Sequence, residues 1–204
     1  MHNNEFQGNI LRFLSYFGGL LSILFWILLI YGFDEPYAAG ITLLCAIIHE
    51  SGHVAVSQRL GGRGKVKGAL SGLRLGGVGF ISYKEDFIFA AAGPLANIIS
   101  AAAILPFLGT LREYGVAFVS IALATAAANL LPVRGHDGYN MLRAVTCHFD
   151  VSGRGLRALE WLSGALTVGF CVASLYLMDR FGEGYWIFGI FYASLVSDIG
   201  RRLE

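Results

Sequence analysis

Long apolar stretches with few or no charges constrain this chain more than any other feature. The stretch Phe13–Phe33 carries no charge, and a helix of about 20 such residues crosses a bilayer. Only 14% of the residues are charged, against about 25% in soluble domains, and the mean hydropathy is +0.61. These values predict an integral membrane protein. A net charge of +1 provides no basic surface of the kind that binds nucleic acid.

Six stretches have the length and apolar character of membrane-spanning helices. The second carries polar residues in its inner half, and the third is interrupted by Gly93-Pro94, which should let another helix pack closely. We therefore predict a single all-α polytopic membrane domain over residues 1–204. The predicted spans cover residues 13–33, 37–60, 87–108, 115–131, 158–178 and 184–199.

The positive charges support this set of spans. If the N-terminus is cytoplasmic, every Lys and Arg residue except Arg112 and Arg180 falls on the cytoplasmic side. Membrane proteins show this bias as a rule, so we expect a multi-pass protein of the cell membrane with both termini in the cytoplasm. Arg12 is the only positively charged residue before the first span, and no cleavage motif follows the span. We therefore predict that this span is retained rather than removed as a signal peptide.

A glycine-rich loop, residues 61–83, joins the second and third spans. It contains eight glycines together with scattered apolar residues, in the sequence GGRGKVKGALSGLRLGGVGFISY. This composition is too rich in glycine for a helix and too apolar for a simple exposed linker. It predicts short β-hairpins at the membrane surface or a partly re-entrant loop. A flexible basic loop lying on anionic headgroups is the alternative.

The second span contains the motif His49-Glu50-Ser51-Gly52-His53. Histidines four residues apart on a helix point at nearly the same place, and two imidazoles are natural zinc ligands. Glu50 is about 100° further around the helix, where it can act as a general base toward water on the metal. His49 is expected about 18 Å below the outer surface, a depth at which ionisable groups are costly and usually functional.

A catalytic zinc also needs a third protein ligand and an open position. Asp137 follows the fourth span on the cytoplasmic side, and Gly138 beside it permits close approach of the backbone, so we predict Asp137 as that ligand. Its alternative role is to cap a helix over residues 138–147. The adjacent His136 is either an ordinary loop residue, an oxyanion stabiliser or a pH-sensitive gate.

Two asparagines and three cysteines are the remaining residues considered for a role at the site. Asn97 in the third span should face the protein interior, either near the site or in helix packing alone. Asn129, at the end of the fourth span, either hydrogen-bonds a substrate backbone or caps the helix end. The three cysteines, at positions 45, 147 and 171, form no metal-binding or disulfide pattern, although Cys45 lies one helical turn before His49.

Together these residues resemble the site-2 family of intramembrane metalloproteases. The sequence has H-E-x-x-H at His49–His53, A-G-P-x-x-N at Ala92–Asn97 and N-x-x-P-x-x-x-x-D-G at Asn129–Gly138, in the order of that family. The resemblance implies that His49, His53 and Asp137 bind Zn²⁺, that Glu50 activates water and that Asn129 positions the substrate. It also implies that the glycine-rich loop offers a strand edge to an extended substrate.

The resemblance predicts an endopeptidase that cleaves membrane-spanning or membrane-associated proteins near the cytoplasmic face. Six spans without a PDZ domain are most similar to the subgroup that processes sigma-factor precursors in sporulation, but the C-terminal regulatory domain often found there is not expected here. Gly135 and His136 stand where the family often has Pro and Leu. The expected partners are a membrane-embedded protein substrate, the lipid bilayer and either a regulatory membrane protein or a second copy. Alternative functions are a non-catalytic binder of metal or substrate, or a small ion or metal transporter.

Overall fold

The computed structural model describes residues 36–60, 65–69, 72–76, 82–150 and 152–181. The predicted first and sixth spans, residues 13–33 and 184–199, lie outside the described residues. The described part contains five α-helices, one short 3₁₀ turn and one pair of strands. In chain order these are α1 (Pro36–Arg59), β1 (Lys65–Ala69), β2 (Gly72–Gly76), α2 (Tyr83–Ile104), the 3₁₀ turn Leu105–Phe107, α3 (Leu108–Asn129), α4 (Asp137–Phe149) and α5 (Arg154–Phe181).

Helices α1, α2 and α3 pack together and form the core that holds the site. Helix α2 starts at Ser82, whose hydroxyl accepts a hydrogen bond from the backbone N–H of Glu85 and so caps the helix. Three of the four buried side chains where the helices meet are small, which lets the backbones approach closely, and the fourth is a phenylalanine. They are Cys45, Ala101, Phe118 and Ala122.

Helix α2 runs unbroken through Pro94, so the prediction that Gly93-Pro94 interrupts this span is wrong, whereas the expected close approach of another helix at Gly93 is confirmed. A proline removes one helical hydrogen bond, and a membrane helix tolerates the loss where neighbouring helices surround it. The helical geometry is broken only later, beyond the end of α2. Arg112, at φ 49° and ψ −126°, breaks the helical geometry within α3, in the predicted outer loop between the third and fourth spans.

Strands β1 and β2 pair antiparallel within the glycine-rich segment, with Lys65 opposite Gly76 and Ala69 opposite Gly72. Strand β2 lies beside α1. The position of this strand pair relative to a membrane surface stays a prediction. The pairing places an extended segment next to the helix that carries both histidines.

Three helical segments of the described residues are long and apolar enough to cross a membrane: Tyr37–Arg59, Tyr83–Asn129 and Arg154–Arg180. The second of these contains both α2 and α3. Many large apolar side chains on these helices are exposed, which fits a surface surrounded by lipid. Examples are Ile99, Val116, Leu123 and Val172.

Candidate metal centre

Three side chains from two distant parts of the chain meet at the inner half of α1. His49 and His53 come from α1, and Asp137 is the first residue of α4. His49 Nε2 lies 3.0 Å from Asp137 Oδ2, His53 Nε2 lies 3.3 Å from the same oxygen, and the two nitrogens are 3.3 Å apart. Both histidines are buried and Asp137 is half-buried. These three residues form a group that could hold a metal ion.

The size of this triangle fits one tetrahedral ion. Zinc binds histidine nitrogen and carboxylate oxygen at about 2.0–2.2 Å, which separates neighbouring tetrahedral ligands by about 3.3 Å. The three observed edges, 3.0–3.3 Å, have this length without any rearrangement. Three ligands also leave the fourth position open, as a catalytic site requires.

The chemistry of the donor atoms also fits a bound cation. The Nδ1–H of His53 donates a hydrogen bond to the Phe89 carbonyl oxygen at 2.8 Å, because a carbonyl can only accept. In the neutral ring, His53 Nε2 then carries a lone pair, and this lone pair faces an oxygen of Asp137. Converging lone pairs need a positive charge between them, either a proton on a ring or a metal cation. A second hydrogen bond that orients a ligating imidazole is typical of metal sites.

Gly93 of α2 forms the wall behind the two imidazoles. A Cβ atom at this position would lie 2.6 Å from both Nε2 and Cε1 of His49, and closer still to Nε2 of His53. Gly52, on α1 between the histidines, likewise contacts Ala92 and Ala96 of α2 so closely that a Cβ would clash. The two glycines let α1 and α2 approach until α2 covers the donor atoms.

Two further glycines shape the segment that delivers Asp137. A Cβ at Gly138 would clash with the carbonyl group of Leu130, so this glycine lets the start of α4 lie directly against the end of α3. Gly135 has a φ of 100°, in the left-handed region that favours glycine. Proline, with φ fixed near −65°, cannot adopt this conformation.

Helix α5 holds the same segment from the other side. The backbone N–H of Arg134 donates to the hydroxyl of the buried Ser163 at 2.7 Å. The Arg134 guanidinium also pairs with Glu160 at 2.8 Å and lies over the ring of Tyr139. The contacts with Ser163 and Glu160 anchor the loop before Asp137 to α5.

The Asp137 carboxyl is buried, and burial alone would raise its pKa. When a ring proton rather than a metal lies between the groups, the hydrogen bonds from His49 and His53 and the charges of these rings outweigh burial, so the pKa of Asp137 lies below its usual range. The group is therefore an anionic ligand at neutral pH.

The other residues singled out in the sequence lie around this centre without joining the three-atom group. Glu50 is half-buried on α1 and close enough to His53 to interact with it electrostatically. His136 is buried and caps the start of α4 through its backbone. Asn129 ends α3, and its amide N–H donates to the Thr125 carbonyl oxygen at 3.0 Å. Asn97 is fully buried in α2. Their roles toward metal and substrate stay predictions.

Sequence patterns alone do not reveal the contributions of Phe89 and Ser163. Phe89 acts through its backbone carbonyl, which any residue would supply, so its identity carries no signal. Ser163 is one of several small polar residues in a long helix, and only the structure shows that its hydroxyl receives the Arg134 N–H. Gly93 was visible as part of a motif, but only as a point of helix packing.

Comparison with known proteins places this geometry in a known architecture. No family model matches the chain, and no curated protein matches it by sequence. The solved structure of a site-2 protease from Methanocaldococcus jannaschii matches it with a TM-score of 0.65, over 86% of this chain and 87% of that chain, at 18% sequence identity. The chain therefore shares the fold of a site-2 protease.

Proposed function

We propose that the protein is an intramembrane zinc endopeptidase of the site-2 type. The observation that carries this proposal is the triangle of His49, His53 and Asp137, whose dimensions fit tetrahedral zinc and whose two histidines are buried in a helix long enough to span a membrane. The shared fold supports it. A peptide bond inside a membrane is shielded from water, so an enzyme that cuts it must supply both water and a site below the surface.

Different residues of the chain have different roles in the proposed hydrolysis. His49, His53 and Asp137 hold the ion, and Gly93 and the α1–α2 contact keep bulk solvent from one side of it. Zinc bound there would act as a Lewis acid toward the scissile carbonyl. Glu50 takes a proton from the attacking water and passes it to the leaving amine. Asn129 hydrogen-bonds the substrate backbone near the scissile bond.

The substrate is a membrane-spanning or membrane-associated protein whose helix unwinds near the cytoplasmic face. The extended segment then adds as a strand to the β1–β2 pair, which lies beside the histidine-bearing helix. The full chain forms one six-span membrane domain with both termini in the cytoplasm. Thirteen cytoplasmic Lys and Arg residues against Arg112 and Arg180 outside support this arrangement.

The test is cleavage of single-span reporter proteins reconstituted with the purified enzyme. The reporters carry a fluorescent cytoplasmic tag and differ in helix stability near the cytoplasmic end. Glu50→Gln should abolish cleavage while keeping about one zinc per chain, because Glu50 moves protons and does not bind the metal. The exposed Glu113 of α3 offers the matched control, and Glu113→Gln should cleave like the wild type.

Each outcome separates the enzyme from its alternatives. Cleavage by the Glu50→Gln variant at the wild-type rate would refute the mechanism. A folded, zinc-loaded wild type that cleaves no reporter would favour a non-catalytic binder or a transporter. Wild-type protein that takes up no zinc would remove the metalloprotease proposal altogether.

A further inference from the structure

Asn97 is a buried polar side chain for which helix packing gives no explanation. It is 0% exposed, and neither its amide oxygen nor its amide nitrogen has a hydrogen-bond partner among the described residues. Buried amides are almost always paired, with protein or with an ordered water. An apolar residue of similar size would fill the same space without an unpaired group. The amide is therefore expected to have a specific partner.

His49 also has a buried polar atom without a hydrogen-bond partner among the described residues. Its Nε2 faces Asp137 and His53, while its Nδ1 is buried and has no partner among the described residues. Nδ1 is bonded to Cε1, and the Cε1–Nε2 edge of the ring faces Gly93 of α2. The unpaired nitrogen is thus the ring atom next to the edge that is turned toward α2.

The antiparallel packing of α1 and α2 brings these two groups to the same part of the interface. His53 contacts Phe89, and His49, one turn earlier on α1, contacts Gly93, one turn later on α2. Asn97 lies one further turn along α2, on the same face of the helix as Phe89 and Gly93.

The following turn of α2 reaches the core cluster of the three helices. Ala101 packs in the core cluster with Cys45, which is one turn before His49 on α1. Asn97 therefore lies between the Gly93 wall and this cluster, on the side of His49 that faces away from His53.

We propose that Asn97 is a positioning residue for His49: one buried water accepts the Nδ1–H of His49 and donates in turn to the amide oxygen of Asn97. This inference rests on the proposed zinc function. It gives His49 the orienting acceptor that the Phe89 carbonyl gives His53. The neighbouring Ser100 bonds within its own helix, where its hydroxyl donates to the backbone carbonyl of Asn97 at 2.9 Å.

The test measures zinc affinity by competition with a chromophoric chelator in detergent, together with the absorption spectrum of the Co²⁺-loaded protein. Asn97→Leu removes the acceptor at similar volume and should weaken zinc binding about 10- to 100-fold, the usual effect of losing such a partner. Its Co²⁺ bands should also change, because the His49 ring is no longer held. Asn97→Asp keeps an acceptor and should retain at least the wild-type affinity. Ser100→Ala, one turn away, is the control and should leave both measurements unchanged.

The results distinguish this proposal from the proposed function. A wild type that binds no zinc defeats the metalloprotease proposal and this inference with it. A wild type that binds zinc, beside an Asn97→Leu variant with the same affinity and Co²⁺ spectrum, overturns only the role of Asn97. If Asn97→Leu does not fold, the folded Asn97→Asp variant decides: a loss of affinity of tenfold or more overturns the proposal, and wild-type affinity with an unchanged spectrum supports it.

Discussion

Gly93 and His49 are in direct contact across the α1–α2 interface, and a single added carbon on Gly93 would lie 2.6 Å from the ring. This contact explains why a glycine stands beside the proline of α2. The position must provide room for an imidazole, and every other amino acid would occupy that room. The architecture of the candidate metal centre therefore depends on the missing side chain at Gly93 as much as on His49, His53 and Asp137.

Gly93→Ala should consequently disturb metal binding without changing any ligand. The methyl group pushes the rings of His49 and His53 from their positions, at a cost of about 1–3 kcal/mol for overpacking. We expect a sharp loss of zinc content, measured by elemental analysis of purified protein. Gly40→Ala is the control, because a Cβ at Gly40 of α1 meets nothing within 4 Å. Equal zinc in the two variants would contradict the role of Gly93 as the wall of the site.

Asp137→Asn tests the third ligand at constant shape. The amide oxygen is a weaker and uncharged ligand, so zinc should be lost or bound far more weakly while the helices stay folded. Asp86→Asn, in the first turn of α2, is the control and should retain the metal. Full zinc occupancy in Asp137→Asn would show that another residue completes the site, with His136 the next to be changed.

Ser163→Ala should loosen the loop that presents Asp137. The substitution leaves the Arg134 N–H without its hydroxyl acceptor, which costs about 1 kcal/mol. We expect a small fall in the unfolding temperature and a several-fold weaker zinc affinity, measured by thermal unfolding and chelator competition. Thr167→Ala, one turn along α5, removes a hydroxyl that bonds only within its own helix to the Ser163 carbonyl. If both variants bind zinc alike, the anchoring by α5 does not matter for the metal.

Asp150 should make the folding stability of the protein depend on pH in the acid range. Its carboxylate accepts hydrogen bonds from the Ser152 hydroxyl and from the Gly155 N–H at the start of α5, and these bonds lower its pKa. Because the folded pKa lies below the unfolded one, the stabilisation is complete above the unfolded pKa and disappears as pH falls through the folded value. Asp150→Asn should therefore lower the unfolding temperature at neutral pH, and the difference from wild type should shrink in acid.

The control for this series is Asp179→Asn, at an exposed position near the end of α5. Thermal unfolding of the three proteins across the acid range measures the effect. A difference between wild type and Asp150→Asn that stays constant with pH would exclude this linkage.

The shared face of His49 and His53 and the presence of long apolar helices could be predicted from the sequence, because both depend on local spacing. Histidines four residues apart identify a shared face, and long apolar runs identify helices such as α1, whose bounds lie within one residue of the prediction. Asp137 could be proposed from its side of the membrane and its neighbouring glycine. Its convergence with His49 and His53 is a tertiary contact that the structure supplied.

Other features could not be predicted because they depend on packing between distant segments. The proline at 94 was expected to interrupt a helix that the surrounding helices keep intact. The bend at Arg112 and the Arg134–Ser163 bond involve residue types with no special signal in sequence. The left-handed conformation of Gly135 explains in retrospect why proline is absent there.

The division of the ligands between α1 and α4 also governs when the protein can become active. A ribosome delivers the two histidines early and Asp137 only after α2 and α3 have been made, so a nascent chain holds just two of the three ligands. Two histidines alone bind zinc more weakly than the completed site. Under the proposed function, the chain would therefore hold no complete metal site until α4 has been made. Completion of the α3–α4 junction is then the step that brings Asp137 to the two histidines.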